Sequence, residues 1–242
     1  MNTQPPALSS SRLKEIDDDT LGASLNASSL ADLAYQRIEA IILSGKLQGG
    51  ERLNDSKLAK AFSISRGPVR SALARLADAG LVELIPYRGA FVRRIDLDDV
   101  MEIYDVRAAV ERAGVLAASR NMTPEILERL AAYAADMDQS VGSGDREAYF
   151  KTNLAFHQLL HQTSGNSRLL ELYERYTREQ TLFRHFSLVT AGIEESNREH
   201  QRIVRALQAG DAQTAAHEME AHVLSAKNRL EQTVKKVRDE YN

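Results

Sequence analysis

The sequence predicts a mainly α-helical protein in two parts: a pair of short helices followed by a β-hairpin, and then an antiparallel bundle of six helices. Apolar residues recur at helical spacing through most of the 242 residues. The absence of Trp, with only six Phe and eight Tyr, favours packed helices over an aromatic-rich β-protein. Residues 29–95 hold eleven basic and six acidic residues, whereas residues 96–242 hold 18 basic and 24 acidic ones. A basic part followed by an acidic one is expected where only the first part contacts phosphate.

Composition also narrows the chemistry of the chain. There is no cysteine, which excludes disulfides, thiolate metal ligands and cysteine nucleophiles. There is no run of 18 apolar residues, so we expect no membrane span. The first residues lack the basic-then-apolar pattern of a signal peptide, and we therefore expect a cytoplasmic protein.

Residues 1–28 are polar and carry a net charge of −2. They have little apolar surface to offset the entropy of ordering, so we predict a disordered N-terminal tail. A first helix is expected from Ser29, a residue type favoured at helix N-caps, to Gly45. Its apolar stripe consists of Leu30, Leu33, Ala34, Ile38, Ile41 and Ile42. A glycine pair then favours a turn and a short extended piece over residues 47–53.

Two short helices joined by a turn are predicted next. Asn54 or Asp55 can cap the first, Ser65 can cap the second, and Gly80 can end it. The buried face of the second helix is expected to consist of Val69, Ala72, Leu73 and Leu76. The segment 81–94, with the turn PYRG, is predicted to form a β-hairpin.

Six further helices are predicted after Ile95. The Thr-Pro-Glu sequence at 123–125 is a strong helix start, and short polar or glycine-containing links separate the others. Short links favour antiparallel neighbours, and hence a bundle. The expected helices cover about 96–120, 124–142, 145–163, 166–188, 193–209 and a last segment after the turn at 209–211. We therefore divide the chain into the tail 1–28, a basic domain 29–95 and an acidic helical domain 96–242.

The start of the second short helix suits DNA recognition. Arg66 and Arg70 are four residues apart and project from one side of the helix, where an arginine can donate two hydrogen bonds to guanine. Ser65 can donate to a phosphate, Gly67 lets the backbone approach closely, and Arg88 in the hairpin turn can reach the DNA backbone or minor groove. Most isolated surface arginine pairs are only solvated charges. The capped helices, the hairpin and the net charge of +5 together favour DNA binding.

The segment 47–92 resembles the winged helix-turn-helix of GntR-type regulators. The matching pieces are LQGGERL, LAKAF, ISRGPVRSALARL, AGLV and YRGAFV. The match is close to the FadR-like branch, whose effector part is the all-helical bundle called FCD. Ser71 replaces the Glu of many members, and Ser56 replaces a phosphate-contacting Arg found in some. The resemblance implies a homodimeric transcriptional regulator, more often a repressor, that reads an inverted-repeat operator in double-stranded DNA. The DNA contacts it implies are Ser65, Arg66, Gly67, Arg70, Arg88 and Gly89.

Histidines on three predicted helices can form a metal site. Asn153, His157 and His161 are spaced by four along one helix face, and His200 and His222 lie on the last two helices. Three imidazoles and an oxygen suit a divalent ion of Zn, Ni, Mn or Fe. Taken alone, such histidines are more often hydrogen-bonded core or surface residues. The FCD resemblance implies metal ligands at Asn153, His157, His200 and His222, and none at His161, His185 or His217.

Asn153 stands where the family most often has Asp. An amide oxygen is neutral, so metal binding should be weaker and the ion should keep its full +2 charge. We therefore expect a small organic acid effector to complete the coordination. Arg107, in VRAAVE, matches an inward-facing arginine of the family and either holds that carboxylate or pairs with Glu111. Arg178 and Arg184 are further candidates for effector binding.

Two alternatives stay open at this point. A metal-dependent enzyme could use three histidines and an open coordination position. However, no general base is placed beside the ligands, and the chain has no Glu-x-x-His pair for a di-iron bundle. A purely structural metal would only rigidify the bundle. We predict a non-enzymatic regulator in which effector binding within 96–242 changes the DNA affinity of 29–95.

Overall fold

The computed structural model describes residues 18–186 and 192–240. The chain divides into two compact units, Met1–Arg93 and Arg94–Asn242, so the division lies two residues before the boundary expected from the sequence. The predicted fold class is confirmed, because a helix-turn-helix with a small sheet is followed by a bundle of helices.

In the described part of the first unit, a three-stranded sheet accompanies the helices. The elements are α1 (Asp18–Leu43), β1 (Arg52–Leu53), α2 (Asp55–Phe62), α3 (Arg66–Asp78), β2 (Val82–Ile85) and β3 (Gly89–Val92). The strands are antiparallel in the order β1-β3-β2, with Arg52 opposite Phe91 and Val82 opposite Val92. α1 packs against α3. The predicted buried face of α3 is confirmed, since all four of its residues are buried.

Local chemistry explains where α2 and α3 begin and end. The Asn54 side chain accepts a hydrogen bond from the Lys57 N–H at 2.9 Å and so caps α2. Ser65 occupies the N-cap position of α3, but its side chain makes no capping hydrogen bond, contrary to the prediction. Gly80 ends α3 with φ +79°, and its N–H and that of Leu81 donate back to the carbonyls of Ala77 and Leu76.

The first helix is longer than predicted. α1 begins at Asp18 instead of Ser29, so residues 18–28 are helical and do not form part of a disordered tail. This stretch has no proline and contains several Leu and Ala residues, which have high helix propensity. Residues 1–17 of the predicted tail lie outside the described part of the chain.

The second unit is the predicted helical bundle. Its described helices are α4 (Leu97–Ala118), a 3-10 turn (Ser119–Asn121), α5 (Pro124–Ser143), α6 (Arg146–Thr163), α7 (Ser167–Phe186), α8 (Ile193–Gln208) and α9 (Ala212–Glu240). α4 packs against α6, α7 and α9, and α8 packs against α5 and α9. A capping box between Asp96 and Asp99 starts α4, and the Thr123 hydroxyl accepts from the Ile126 N–H to start α5. The fully buried core includes Phe156, Leu160, Ile203 and Met219.

No helix of the described residues combines the length and the apolar character needed to cross a bilayer.

Candidate metal centre and nucleic-acid interface

Three histidines from α6, α8 and α9 meet inside the bundle. One ring nitrogen each of His157, His200 and His222 lies within 4.8 Å of the others, and all three side chains are buried. The Nε2 atoms of His157 and His200 are 3.3 Å apart. Two nitrogens bound to one Zn²⁺ at about 2.0–2.1 Å with tetrahedral angles lie about 3.3–3.4 Å apart. The spacing of these two rings therefore fits coordination of a shared ion.

Two carboxylates hold the outer nitrogens of these rings. Glu111 on α4 lies 3.0 Å from Nδ1 of His157, and Glu199 on α8 lies 2.7 Å from Nδ1 of His222. A carboxylate accepts the Nδ1–H of an imidazole, which leaves Nε2 as the nitrogen with a lone pair. This arrangement presents the Nε2 atoms of two histidines as ligands, as in carboxylate–histidine–metal triads.

Each of the two carboxylates is itself paired with an arginine. Arg107 donates to Glu111 from Nε at 3.1 Å and from a terminal nitrogen at 2.9 Å. Arg229 donates to both oxygens of Glu199, at 2.8 and 3.0 Å. Each carboxylate charge is thus balanced by a guanidinium. Because both carboxylates are already paired, neither would compensate the charge of a divalent ion bound to the three histidines.

Burial keeps His157 and His200 in the neutral form that binds metal. It lowers the pKa of His157 to about 4, although the neighbouring Glu111 acts in the opposite direction. Burial and the neighbouring histidines also place the pKa of His200 well below its ordinary value. Burial would raise the pKa of Glu111, but His157 and Arg107 outweigh it and hold that pKa well below its ordinary value. At neutral pH the imidazoles of His157 and His200 are therefore neutral and the Glu111 carboxylate is ionised.

A cavity of about 150 Å³ reaches one of the three histidines, His222. Its lining includes His222, Asn153, Arg107, Arg229 and Gln180. Asn153, the predicted oxygen ligand, thus shares the cavity with one of the predicted histidine ligands. Arg107 lines the cavity and also pairs with Glu111, so both of its predicted roles are compatible with its position. Arg107 also donates to Oε1 of Gln180, whose buried Nε2 has no hydrogen-bond partner among the described residues.

Of the other two predicted effector residues, only Arg178 has a described side chain, and it does not line this cavity. Arg178 lies 3.7 Å from Glu174 in an ion pair. The side chain of Arg184 lies outside the described part of the chain, as does that of His185. His217 is exposed on α9.

His161 supports the site from one helical turn away. Its Nε2 lies 3.1 Å from Glu111, and its ring stacks on Tyr173 with 4.4 Å between centroids. Gly114 makes room for the ring, because a Cβ at that position would lie 2.5 Å from Cε1 of His161. His161 therefore holds the carboxylate that holds His157.

Sequence reasoning did not assign Glu199, Arg229 or Gln180 to the site, and it treated Glu111 only as a pairing partner of Arg107. Some signals were present. Arg229 follows His222 by seven residues, which places both on one face of α9, and Glu199 immediately precedes a predicted ligand. The pairing of Glu199 with Arg229 joins two helices, and no spacing within one helix indicates it.

The predicted DNA-binding residues lie on the surface of the first unit. Ser65, Arg66, Gly67 and Arg70 are exposed at the start of α3, and Arg88 and Gly89 are exposed at the hairpin. Four of them, namely Arg66, Arg70, Arg88 and Gly89, line one groove of about 600 Å³. Ser65 and Gly67 are not among the lining residues.

The same groove contains two charged residues that the sequence analysis did not connect with DNA binding. Arg52 of β1 lines the groove, with its guanidinium 3.6 Å from where a Cβ on Gly89 would lie. Asp55, the first residue of α2, accepts hydrogen bonds from Arg66 at 2.9 Å and from Arg70 at 2.7 Å. The groove lining thus combines four arginines with one carboxylate.

Comparison with known proteins gives matches over both units. The model of "Bacterial regulatory proteins, gntR family" matches residues 30–92, and the "FCD domain" model matches residues 102–225. The chain is 28% identical over 191 residues to the HTH-type transcriptional regulator YdhC of Bacillus subtilis, covering 78% of this chain and 85% of that one. It is 25% identical over 207 residues to the HTH-type transcriptional repressor RspR of Escherichia coli, covering 85% and 90%. The structure of E. coli McbR/YncC superposes with a TM-score of 0.69 at 23% identity, covering 88% of this chain and 99% of that one, which shows a shared fold.

Proposed function

This chain belongs to the gntR family of bacterial regulatory proteins and carries an FCD domain, so it is a DNA-binding transcriptional regulator and not an enzyme, and we propose that it is a homodimeric repressor controlled by a divalent metal and a small organic acid. The observation that carries the proposal is the buried cluster of His157, His200 and His222 beside a cavity that contains two arginines.

The metal ligands in this proposal are the three histidines, with Asn153 as an oxygen donor from the cavity wall. Their chemistry suits Zn²⁺, Ni²⁺, Mn²⁺ or Fe²⁺. A bound divalent ion would supply a localised positive charge that binds an anionic oxygen. Glu111 and Glu199 orient the ligand rings, and contacts of this kind typically change metal affinity by about 10–100-fold.

Charge balance supports a carboxylate as the effector. Glu111 and Glu199 are already neutralised by Arg107 and Arg229, and the ligands themselves are neutral. A carboxylate in the cavity would offset part of the +2 charge of a bound divalent ion, and the two arginines can donate to its oxygens. The volume of about 150 Å³ limits the effector to a small acid.

The DNA-binding surface in this proposal is the arginine-lined groove of the first unit. Arg66 and Arg70 would read base edges in the major groove, and Arg88 with Gly89 would contact the backbone or minor groove. Ser65 and Gly67, exposed beside this groove, would approach phosphates. Arg52 adds a further phosphate contact. In a homodimer two such surfaces would read the two half-sites of an inverted-repeat operator. The protein would act in the cytoplasm.

Repression is the proposed sign of regulation. RspR, similar over 85% of this chain, is itself named a repressor. Effector binding would change operator affinity through a coupling free energy of about 1–3 kcal/mol, which corresponds to about 5–150-fold.

Native mass spectrometry and thermal unfolding test the proposal together. Purified protein should carry one divalent ion per chain, and His157→Ala or His222→Ala should lose it without losing DNA binding. Small carboxylates should raise the melting temperature of metal-loaded protein and leave metal-stripped protein unchanged. Stabilisation by the metal with no further effect of any acid would support a structural metal instead. Retention of the metal by both variants would contradict the site.

A further inference from the structure

One carboxylate faces the arginines of the groove in the first unit. Oδ2 of Asp55 accepts from a terminal nitrogen of Arg66 at 2.9 Å and from Nε of Arg70 at 2.7 Å. Its other oxygen accepts from the Ser56 hydroxyl at 3.3 Å. The Asn54 cap fixes the start of α2, where Asp55 lies. The two arginines are therefore tied to a defined point on a second helix.

The bonds to Asp55 leave each arginine able to recognise DNA. Arg70 uses its Nε–H, so its two terminal nitrogens keep the paired geometry that matches O6 and N7 of guanine. Both arginine side chains are more than half exposed. An unrestrained arginine loses rotamer freedom when it binds, whereas one already held in place loses less.

The negative charge of Asp55 also affects how the groove interacts with the phosphates of DNA. An anion within the groove repels the DNA backbone, and it partly offsets the positive charge that drives sequence-independent binding. Base-edge contacts do not suffer this repulsion to the same degree, because bases are neutral. Asp55 thus favours base reading over simple attraction to phosphate.

We propose that Asp55 is a specificity-determining residue that positions Arg66 and Arg70 for base reading and weakens binding to non-operator DNA. The inference rests on the proposed DNA contacts of these two arginines. In addition to these contacts, the carboxylate of Asp55 positions the two arginines, and this has a measurable effect on discrimination between DNA sequences.

The test uses the full-length protein and two DNA duplexes. One duplex is selected by the wild-type protein from a randomised double-stranded library, and the other is a scrambled sequence of the same composition. The variants are Asp55→Asn, which removes the negative charge, and Asp55→Glu, which keeps the charge on a longer side chain. Asp78→Asn is the matched control, since Asp78 is an exposed acid of α3 outside the groove lining. Thermal unfolding verifies that each variant is folded.

Asp55→Asn should bind the scrambled duplex about threefold more tightly, because a repulsive charge near phosphate is gone. It should bind the selected duplex more weakly, and the ratio of the two affinities should fall by about 10-fold or more. Library selection with this variant should give relaxed base preference at the positions that Arg66 and Arg70 read. Asp55→Glu should recover part of the ratio, and Asp78→Asn should leave it unchanged.

Equal changes in affinity for both duplexes, with unchanged base preference, would overturn the inference and reduce Asp55 to a general charge effect. Unchanged affinities would overturn it as well. If the wild-type protein selects no sequence from the library, or if Arg66→Ala and Arg70→Ala bind the selected duplex normally, the proposed DNA contacts fail instead.

Discussion

The metal-stripped protein should lose stability as the pH falls from 7 to 5. Burial lowers the pKa of His157 from 6.5 to about 4. Between these values the unfolded chain binds a proton that the folded chain does not, so the free energy of unfolding must rise with pH across this window. For His157 alone the difference between pH 5 and pH 7 is about 2 kcal/mol. His200, whose pKa is also lowered by burial, changes stability in the same direction.

Urea unfolding at pH 5, 6 and 7, followed by circular dichroism after chelation, measures this effect. The comparison variant is His157→Gln, which does not titrate, and the control is His217→Gln at an exposed position. The wild-type protein and His217→Gln should lose about 2 kcal/mol more than His157→Gln between pH 7 and pH 5. Equal losses in all three proteins would show that His157 titrates normally, and would refute the reasoning from burial.

Three further predictions test the site and the groove. Glu111→Gln leaves the largely buried guanidinium of Arg107 without its carboxylate. The free energy of unfolding should therefore fall by about 3–5 kcal/mol and metal affinity by about 10–100-fold. Urea unfolding and metal titration measure the two effects, and unchanged stability and metal affinity would contradict the proposed network. Gly114→Ala places a methyl group against the fixed ring of His161 and should destabilise by about 1–3 kcal/mol. Gly142→Ala should not, because no atom of the described residues lies within 4 Å of its new methyl group. Equal melting temperatures of the two variants would count against this packing. Arg52→Ala should weaken binding to selected and scrambled DNA alike and lower the salt slope of binding by about 1; a loss confined to the selected duplex would show base contact instead.

Most of the fold could be predicted from the sequence, because its signals are local. Asn54 and Gly80 define ends of α2 and α3 through hydrogen bonds to backbone groups a few residues away. The apolar spacing of α3 defines its buried face in the same way. Local signals were ambiguous at two serines, because serine is favoured at helix N-caps but also occurs within helices. Ser29 resembles an N-cap but lies within α1, and Ser65 occupies a cap position without capping.

The candidate site was predictable only in part. The family pattern indicated His157, His200 and His222, and the structure brings them together. The carboxylates and arginines around them depend on which helices are neighbours, and helix packing is not encoded in the spacing along one helix. Arg107 lies four residues before Glu111, and this spacing predicts an ion pair between them. It does not predict that Glu111 also contacts His157 on another helix.

Regulation in this proposal depends on a small acid that controls DNA binding through the metal centre of the bundle. Fluorescence anisotropy of the selected duplex, titrated with a panel of small carboxylates, measures this control. The panel is applied to metal-loaded protein, metal-stripped protein and His222→Ala. At least one acid should change DNA affinity by about 5–150-fold in the metal-loaded protein and in neither of the others. An equal change without the metal would contradict the proposal, and so would metal-loaded protein whose DNA affinity responds to none of the acids.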